Sequence, residues 1–299
     1  EELLELANAK HPRLVSAGGG ARDVEVRKLA PLADDDPVGP MLVVHLVVDV
    51  CDAMGANAIN SMCERLAPRL EVLSGGRARL RILSNLTDRR TVKVRGVVPF
   101  AALEGRGCGC AEELARGIEE ASVFAERDPY RAATHNKGIM NGVDAVLLAF
   151  GQDWRAVEAG AHAFAARDGR YTAMARWRVR GESLVGEMEL PMAVGTVGGV
   201  AKVHPTVQAV MRIAGIESAA DLASLTASVG MAQNLGALRA LSAEGIQRGH
   251  MRLHARNIAT EAGARGPEVP LVAEAIAAEG DVSLRAAQTA LERIRAQAA

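Results

Sequence analysis

Aromatic residues and cysteines are scarce in this sequence. Aromatics make up 3% of the 299 residues while apolar residues make up 49%, so the core must be built mainly from aliphatic side chains and methionine. This balance is typical of a globular chain rather than a disordered one. The four cysteines, at positions 51, 63, 108 and 110, form neither paired zinc knuckles nor a secreted disulfide framework. Reduced thiols in the cytoplasm are the better interpretation.

An excess of charge of one sign is also absent. The 35 Lys and Arg residues nearly balance the 36 Asp and Glu residues, which leaves no electrostatic footprint for nucleic acid or an anionic membrane. The longest apolar runs, such as residues 41–48 with His45 inside, fall short of the ~20 residues that a spanning helix needs. The chain opens in mid-helix, without Met or a signal peptide. We therefore expect a small-molecule partner, no nucleic acid, no membrane anchor and a cytoplasmic location.

The hydrophobic pattern predicts a mixed chain of helices and strands. A nearly continuous β-branched run at 41–50 indicates a buried strand, and alternation at 77–83 indicates a half-buried one. The chain after Pro205 has helical periodicity, with breaks expected at Gly230, at Gly249 and within 263–270. The other expected elements are helices at 1–10, 53–70 and 111–127, a strand at 92–98, and a hairpin of 171–180 with 183–190.

Residues 131–144 are dense in polar groups, and we interpret them as a loop between glycine turns. Lys137 in this segment could polarise a substrate carbonyl and donate a proton, provided that a carboxylate such as Asp153 holds it. The structural alternatives are a solvated lysine and an Asp153 that caps the helix at 154–166. On local sequence alone these alternatives are favoured.

Two histidines, His250 and His254, lie four residues apart on one expected helix face. That spacing can bind a metal. The segment lacks the intervening glutamate of a zincin helix and an evident third ligand. A structural or proton-transfer role is therefore the better interpretation, and we expect no metal.

A dinucleotide site cannot be argued from a GxGxxG fingerprint, because none follows a strand here, and the glycines at 195–199 have another spacing. The remaining candidate is Asp52-Ala-Met-Gly-Ala-Asn57, which precedes a predicted helix. Free N–H groups at a helix start favour anions. The alternative is an ordinary helix capped by Asp52.

Six motifs in order and spacing resemble the class II (bacterial-type) 3-hydroxy-3-methylglutaryl-CoA (HMG-CoA) reductases. They are the segments 52–57, 134–141, 153–156, 195–199, 232–236 and 249–251. The resemblance covers essentially the whole chain. It implies an α+β fold with a small ferredoxin-like cofactor domain at 1–85, a larger mixed α/β substrate domain at 86–245 and a helical C-terminal flap at 246–299. It also implies a homodimer with shared active sites, or a higher oligomer built from it.

The chemistry implied by the resemblance is the NAD(P)H-dependent interconversion of HMG-CoA with mevalonate and CoA, through mevaldehyde. Lys137 would polarise the carbonyl, Asp153 would tune Lys137, Asn85 would support that pair, and His250 would protonate the departing thiolate. The implied substrate-binding residues are Arg131, Thr134, Asn141 and Asn234. The implied cofactor-binding residues are Asp52, Met54, Gly55, Asn57, Gly195, Thr196, Val197, Gly198 and Gly199.

Two departures from the family pattern bear on activity. The catalytic glutamate and part of the HMG-binding surface are expected upstream of Glu1, so we expect no appreciable turnover from these 299 residues alone. NADH-using members carry an acidic residue where this chain reads His11, after Ala7-Asn-Ala-Lys10. We favour NADH on overall similarity and leave NADPH open. The rival hypotheses are a catalytically incomplete acyl-CoA-binding relative and a metal enzyme that uses His250 and His254.

Overall fold

The computed structural model describes the backbone of residues 1–103, 110–243 and 246–298, and their side chains except those of 246–253 and 297–298. The elements are α1 (Glu2–Asn8), α2 (Pro12–Ser16), β1 (Gly20–Leu29), β2 (Met41–Asp49), α3 (Ala56–Ser74), β3 (Thr91–Pro99), α4 (Phe100–Leu103), α5 (Ala111–Arg127), α6 (Pro129–Ala149), α7 (Trp154–Ala165), β4 (Ala175–Arg180), β5 (Ser183–Pro191), α8 (Gly199–Val203), α9 (Pro205–Ala214), α10 (Ala219–Ser242), α11 (Ile246–Glu261), α12 (Glu268–Glu279) and α13 (Leu284–Ala298). The mixed helix and strand class is confirmed.

The described strands form two small sheets. In the first, β1 and β2 pair antiparallel, from Gly20 opposite Asp49 to Leu29 opposite Met41. The second has the order β3-β5-β4. The predicted hairpin is confirmed between β4 and β5, where Gly181 has the positive φ of 57° that its turn requires.

The chain divides into two compact units, neither of which is continuous in sequence. The first contains Glu1–Val94, Ile139–Met174 and Met188–Met231, and the second contains Arg95–Gly138, Ala175–Glu187 and Ala232–Ala299. The division at residues 85 and 245 that the family resemblance implies stays a prediction.

The N-terminal part of the first unit packs helices on one face of its two-stranded sheet. Met62 and Leu66 of α3 and Ala7 of α1 form a buried cluster, against which Leu46 and Val48 of β2 are packed. Each residue of β2 is at least partly exposed, so β2 is not the fully buried strand that its β-branched run indicated. Its first two residues, Met41 and Leu42, are 47% and 58% exposed.

The predicted strand at 77–83 was wrong. Side chains of α3 take up two of its backbone N–H groups: Ala78 N donates to Glu71 Oε1 at 2.8 Å, and Leu83 N donates to Asn60 Oδ1 at 2.8 Å. No described strand pairs with this segment. Alternation of side chains alone cannot make a strand, because a ladder needs a partner.

The predicted loop at 131–144 was also wrong, because α6 runs through it. Asp128 and Pro129 are a helix-start pair, with the Asp128 carboxylate accepting the N–H of Arg131 at 2.7 Å. The helix then buries a stripe at helical spacing, consisting of Ala132, Ile139, Met140, Val143 and Leu147. This burial outweighs the cost of about 1 kcal/mol that each interior glycine brings.

The breaks expected at Gly230 and Gly249 were also wrong, since α10 continues from Ala219 to Ser242 and α11 from Ile246 to Glu261. A Cβ at Gly230 would lie 2.7 Å from Cγ2 of Val143. The glycine therefore serves close helix packing rather than helix termination. The break within 263–270 and the final helical hairpin of α12 and α13 are confirmed. No helix among the described residues is long and apolar enough to cross a membrane.

Candidate cofactor site and catalytic residues

The turn between β2 and α3 leaves the start of α3 uncapped. The N-cap residue is Gly55, with φ of 95°, and no described side chain accepts a capping hydrogen bond there. Asp52 does not cap this helix; its Oδ1 instead accepts the N–H of Ala219, the first residue of α10, at 2.8 Å. The free N–H groups of α3 are therefore available to an anion.

The glycine-rich segment that begins at Gly195 lies directly against this turn. The backbone carbonyl of Asp52 accepts the N–H groups of Thr196 at 2.9 Å and of Val197 at 3.3 Å. A Cβ at Gly195 would lie 2.3 Å from the backbone nitrogen of Met54. Only glycine permits this approach of the two backbones. The structure thus brings together two candidate cofactor segments that lie about 140 residues apart in sequence, a contact that their spacing alone does not show.

Gln152 and Arg90, which the sequence analysis did not select, hold these segments in place. Gly195 N donates to Gln152 Oε1 at 2.9 Å, and Gln152 Nε2 donates to the carbonyl oxygens of Gly195 and Phe150, both at 3.0 Å. Arg90 donates to carbonyl oxygens on both sides of the contact, including that of Val194 at 2.7 Å. Neither Gln152 nor Arg90 lies in one of the six motifs, and no local sequence signal marks them as residues that bind backbone groups of the two segments.

The residues present fit the pyrophosphate of a dinucleotide. Thr196 Oγ1 is buried and has no hydrogen-bond partner among the described residues, which is costly unless a ligand supplies one. The uncapped N–H groups of α3 offer further donors. Gly198 and Gly199 have φ of 84° and 50° and present backbone without a side chain.

The helix α6 carries the predicted catalytic lysine and three of the predicted substrate-binding residues. Thr134, Lys137 and Asn141 follow at intervals of three and four residues and are exposed, so they share one helix face. Arg131 is half-buried, and burial lowers the pKa of its guanidinium. The exposed face is therefore the part of α6 that can meet a ligand.

Asp153 caps a helix, which is the structural alternative to its predicted catalytic role. Its Oδ1 accepts the N–H of Ala156 at 3.1 Å, at the start of α7. Asn85 lies at the same helix, because a Cβ on Gly160 would come 2.4 Å from the Asn85 carbonyl oxygen. The pairing of Asp153 with Lys137 stays a prediction.

Asn234 is buried, and both ends of its amide contact protein groups. Its Oδ1 accepts from Trp177 Nε1 at 2.8 Å, and its Nδ2 lies 3.2 Å from His135 Nε2. Burial, assisted by the nearby charge of Arg131, lowers the pKa of His135 to about 4. The structure thus places Asn234 in a neutral internal network.

The side chain of His250 lies outside the described residues, as does Cys108. His254, four residues further along α11, is exposed. Within the described ranges, no group of three or more His, Cys, Asp and Glu side chains is suited to a metal.

Fold and site together define a mixed α/β protein in which a glycine-rich segment packs against an uncapped helix start. A sequence model of one family, described as hydroxymethylglutaryl-coenzyme A reductase, matches residues 1–255. The chain belongs to this family.

Two named relatives support the assignment. The 3-hydroxy-3-methylglutaryl-coenzyme A reductase of Archaeoglobus fulgidus is 48% identical over 296 residues, covering 99% of this chain and 65% of the relative. The probable 3-hydroxy-3-methylglutaryl-coenzyme A reductase of Borreliella burgdorferi is 39% identical over 241 residues, covering 81% and 54% respectively. The chain thus spans less than two thirds of either relative's length.

Solved structures agree with the sequence comparison. A 3-hydroxy-3-methylglutaryl-coenzyme A reductase from Streptococcus pneumoniae matches with a TM-score of 0.77 and 46% identity, covering 98% of this chain and 68% of that one. A class II enzyme from the same organism, bound to NADPH in open conformations, matches with a TM-score of 0.76 and 46% identity, covering 98% and 70%.

Proposed function

We propose that this chain carries the cofactor platform and catalytic lysine of an HMG-CoA reductase that interconverts HMG-CoA with mevalonate and CoA. The observation that carries the proposal is the backbone contact between Met54 and Gly195 beside the uncapped start of α3. Family membership supports the same function. A nicotinamide dinucleotide is the cofactor, since the similar Streptococcus pneumoniae enzyme binds NADPH.

The dinucleotide, when bound, supplies the hydride. The N–H groups at the start of α3 and the hydroxyl of Thr196 hold its phosphates. Met54, Gly55 and Asn57 line one side of the site, and the remainder of the 195–199 segment lines the other. Because His11 is not acidic, the site tolerates a 2′-phosphate, so NADPH can bind as well as NADH. The expected preference for NADH rests on overall similarity to the family and not on His11.

On the substrate side, Lys137 donates a hydrogen bond to the reacting carbonyl oxygen and stabilises the negative charge that develops there. Asp153 holds Lys137, with Asn85 supporting the pair. Thr134, Asn141 and Arg131 bind the carboxylate and hydroxyl of the substrate. His250 gives a proton to the sulfur of the departing CoA. Asn234, whose amide is engaged internally, contributes by holding its neighbours in place.

The assembly that we propose is a homodimer with shared active sites, located in the cytoplasm. Its partners are the substrate pair and CoA, with no resident metal. The exposure of Lys137 and Asn141 supports this arrangement, because a face that serves a shared site must be open in the single chain.

A chimaera tests the proposal. The part of the Archaeoglobus fulgidus relative that lies outside its alignment with this chain is joined to the 299 residues, and HMG-CoA-dependent oxidation of NADPH and NADH is followed by absorbance. We expect turnover from the chimaera, and none from a Lys137→Met chimaera that still binds the dinucleotide. A folded chimaera that binds NADPH and HMG-CoA without oxidation would point to the non-catalytic acyl-CoA-binding alternative.

The 299-residue chain is the second arm of this experiment. Since the family's glutamate is expected outside it, we expect no appreciable turnover. Robust mevalonate-dependent formation of NADH or NADPH by the chain alone would show that its own residues complete the catalytic set.

A further inference from the structure

Arg90 is held by main-chain oxygens rather than by a carboxylate. Its Nη1 donates to the carbonyl oxygens of Ala53 at 3.0 Å and Met54 at 3.4 Å, and its Nη2 donates to those of Cys51 at 3.3 Å and Val194 at 2.7 Å. None of the ion pairs found among the described residues includes Arg90. The planar fork of the guanidinium suits this simultaneous contact, which a single ammonium group cannot reproduce.

These contacts set the direction of the neighbouring N–H groups. In a trans peptide the carbonyl of one residue and the N–H of the next point in opposite directions. Because the carbonyls of Cys51, Ala53 and Met54 face Arg90, the N–H groups of the following residues face away from it. The N–H of Gly55 leads directly into the uncapped start of α3.

The turn needs such support because its backbone is unusual. Cys51 has φ of 50°, a left-handed conformation that residues with a Cβ rarely adopt, and Gly55 has φ of 95°. The bond to Val194 ties this turn to the segment that leads into Gly195. Arg90 therefore fixes both walls of the cofactor site from behind.

We propose that Arg90 is a positioning residue for the dinucleotide: it aims the N–H groups of Asp52, Met54 and Gly55 at the phosphates without itself touching the phosphates. The N–H of Ala53 is excluded, because it donates to the carbonyl oxygen of Val50 at 3.0 Å. This inference rests on the proposed function. The inference predicts that the ligand carries an anionic pyrophosphate. The positive charge of Arg90, which no carboxylate pairs with among the described residues, also attracts this group through the turn.

The test compares Arg90→Lys with a matched control, Arg89→Lys. Arg89 is the next residue along, is 56% exposed, and pairs with Glu25 at the surface. Dissociation constants for NADPH and NADH are measured by fluorescence titration of the purified chain, together with amide hydrogen exchange over residues 51–57. We expect about tenfold weaker binding of both dinucleotides by Arg90→Lys, which corresponds to about 1.4 kcal/mol, and no change by Arg89→Lys.

A role in overall stability alone would show itself differently. If Arg90 acts by positioning, Arg90→Lys should exchange the amide hydrogens of residues 51–57 faster than the parent chain does. Protection in the rest of the chain and the binding of CoA should be unchanged. Should Arg90→Lys not fold, Arg90→Gln, which keeps two donors, is measured in the same way.

Binding of the dinucleotides by a folded Arg90 variant as tightly as by the parent chain would overturn the positioning role and leave the proposed function standing. Absence of binding by the parent chain itself would instead refute the cofactor site.

Discussion

Protonation of His135 should destabilise the folded protein, and the hydrogen-bond network shows why. Trp177 Nε1 can only donate, so the Asn234 oxygen must face it, at 2.8 Å. The Asn234 amino group then faces His135 Nε2, at 3.2 Å, and this nitrogen must accept. A protonated imidazole would place a second donor there, inside a site where His135 is 2% exposed.

The size of the effect follows from the shift in pKa. The pKa of His135 is lowered from 6.5 to about 4, with burial as the first cause and the charge of Arg131 as the second. The unfolded chain therefore binds more protons than the folded one between these values. Stability is fully present above about pH 6.5 and is lost as the pH falls, by about 3 kcal/mol on reaching about pH 4.

The assay is urea unfolding followed by tryptophan fluorescence, to which the buried Trp177 contributes, at intervals from about pH 7 to about pH 4. The comparison is with His135→Gln, whose amide oxygen can accept from Asn234 but does not titrate. We expect the wild-type chain to lose about 3 kcal/mol more than the variant over this range. Parallel pH profiles for the two proteins would refute the assignment of a neutral, accepting His135.

Three further predictions test other parts of the account. Gly230→Ala should lower the free energy of unfolding by about 1–3 kcal/mol through overpacking, whereas Gly138→Ala, with open space at its Cβ, should raise it by up to about 1 kcal/mol; urea unfolding measures both. Burial and the neighbouring Glu158 raise the pKa of Asp144 from 3.8 to about 7, so the free energy of unfolding falls as the pH rises through that range. In Asp144→Asn, the melting temperature should depend less on pH over the same range. In an active chimaera, His250→Gln should slow thioester reduction more than mevaldehyde reduction; equal losses would contradict the thiolate-protonating role.

The parts of the fold that followed from the sequence are those fixed by local pattern. α5 begins and ends where its periodicity predicted, and Gly181 marks the hairpin. The secondary-structure predictions failed where contacts with residues distant in sequence determine the local structure. Residues 77–83 alternate like a strand but bond to α3, and α6 tolerates its glycines because its apolar stripe is buried.

The candidate site was predictable only in part for the same reason. The motifs marked Asp52 and Gly195 as candidates, but their contact depends on folding. Arg90 and Gln152 carry no local signature, because a side chain that binds backbone carbonyls can come from anywhere in the chain. Asn234 differs from these two residues, because it lies in a motif, yet its amide contacts Trp177 and His135 inside the protein. The motif gives no sign of these contacts.

The most direct test of the central claim is a calorimetric titration of the 299-residue protein with NADPH, repeated with Gly195→Ala. The added Cβ would lie 2.3 Å from the Met54 nitrogen and must force the two walls of the site apart. The account predicts one saturable site per chain and its loss in the variant. A folded parent chain without saturable binding, or a variant that binds equally well, would contradict it.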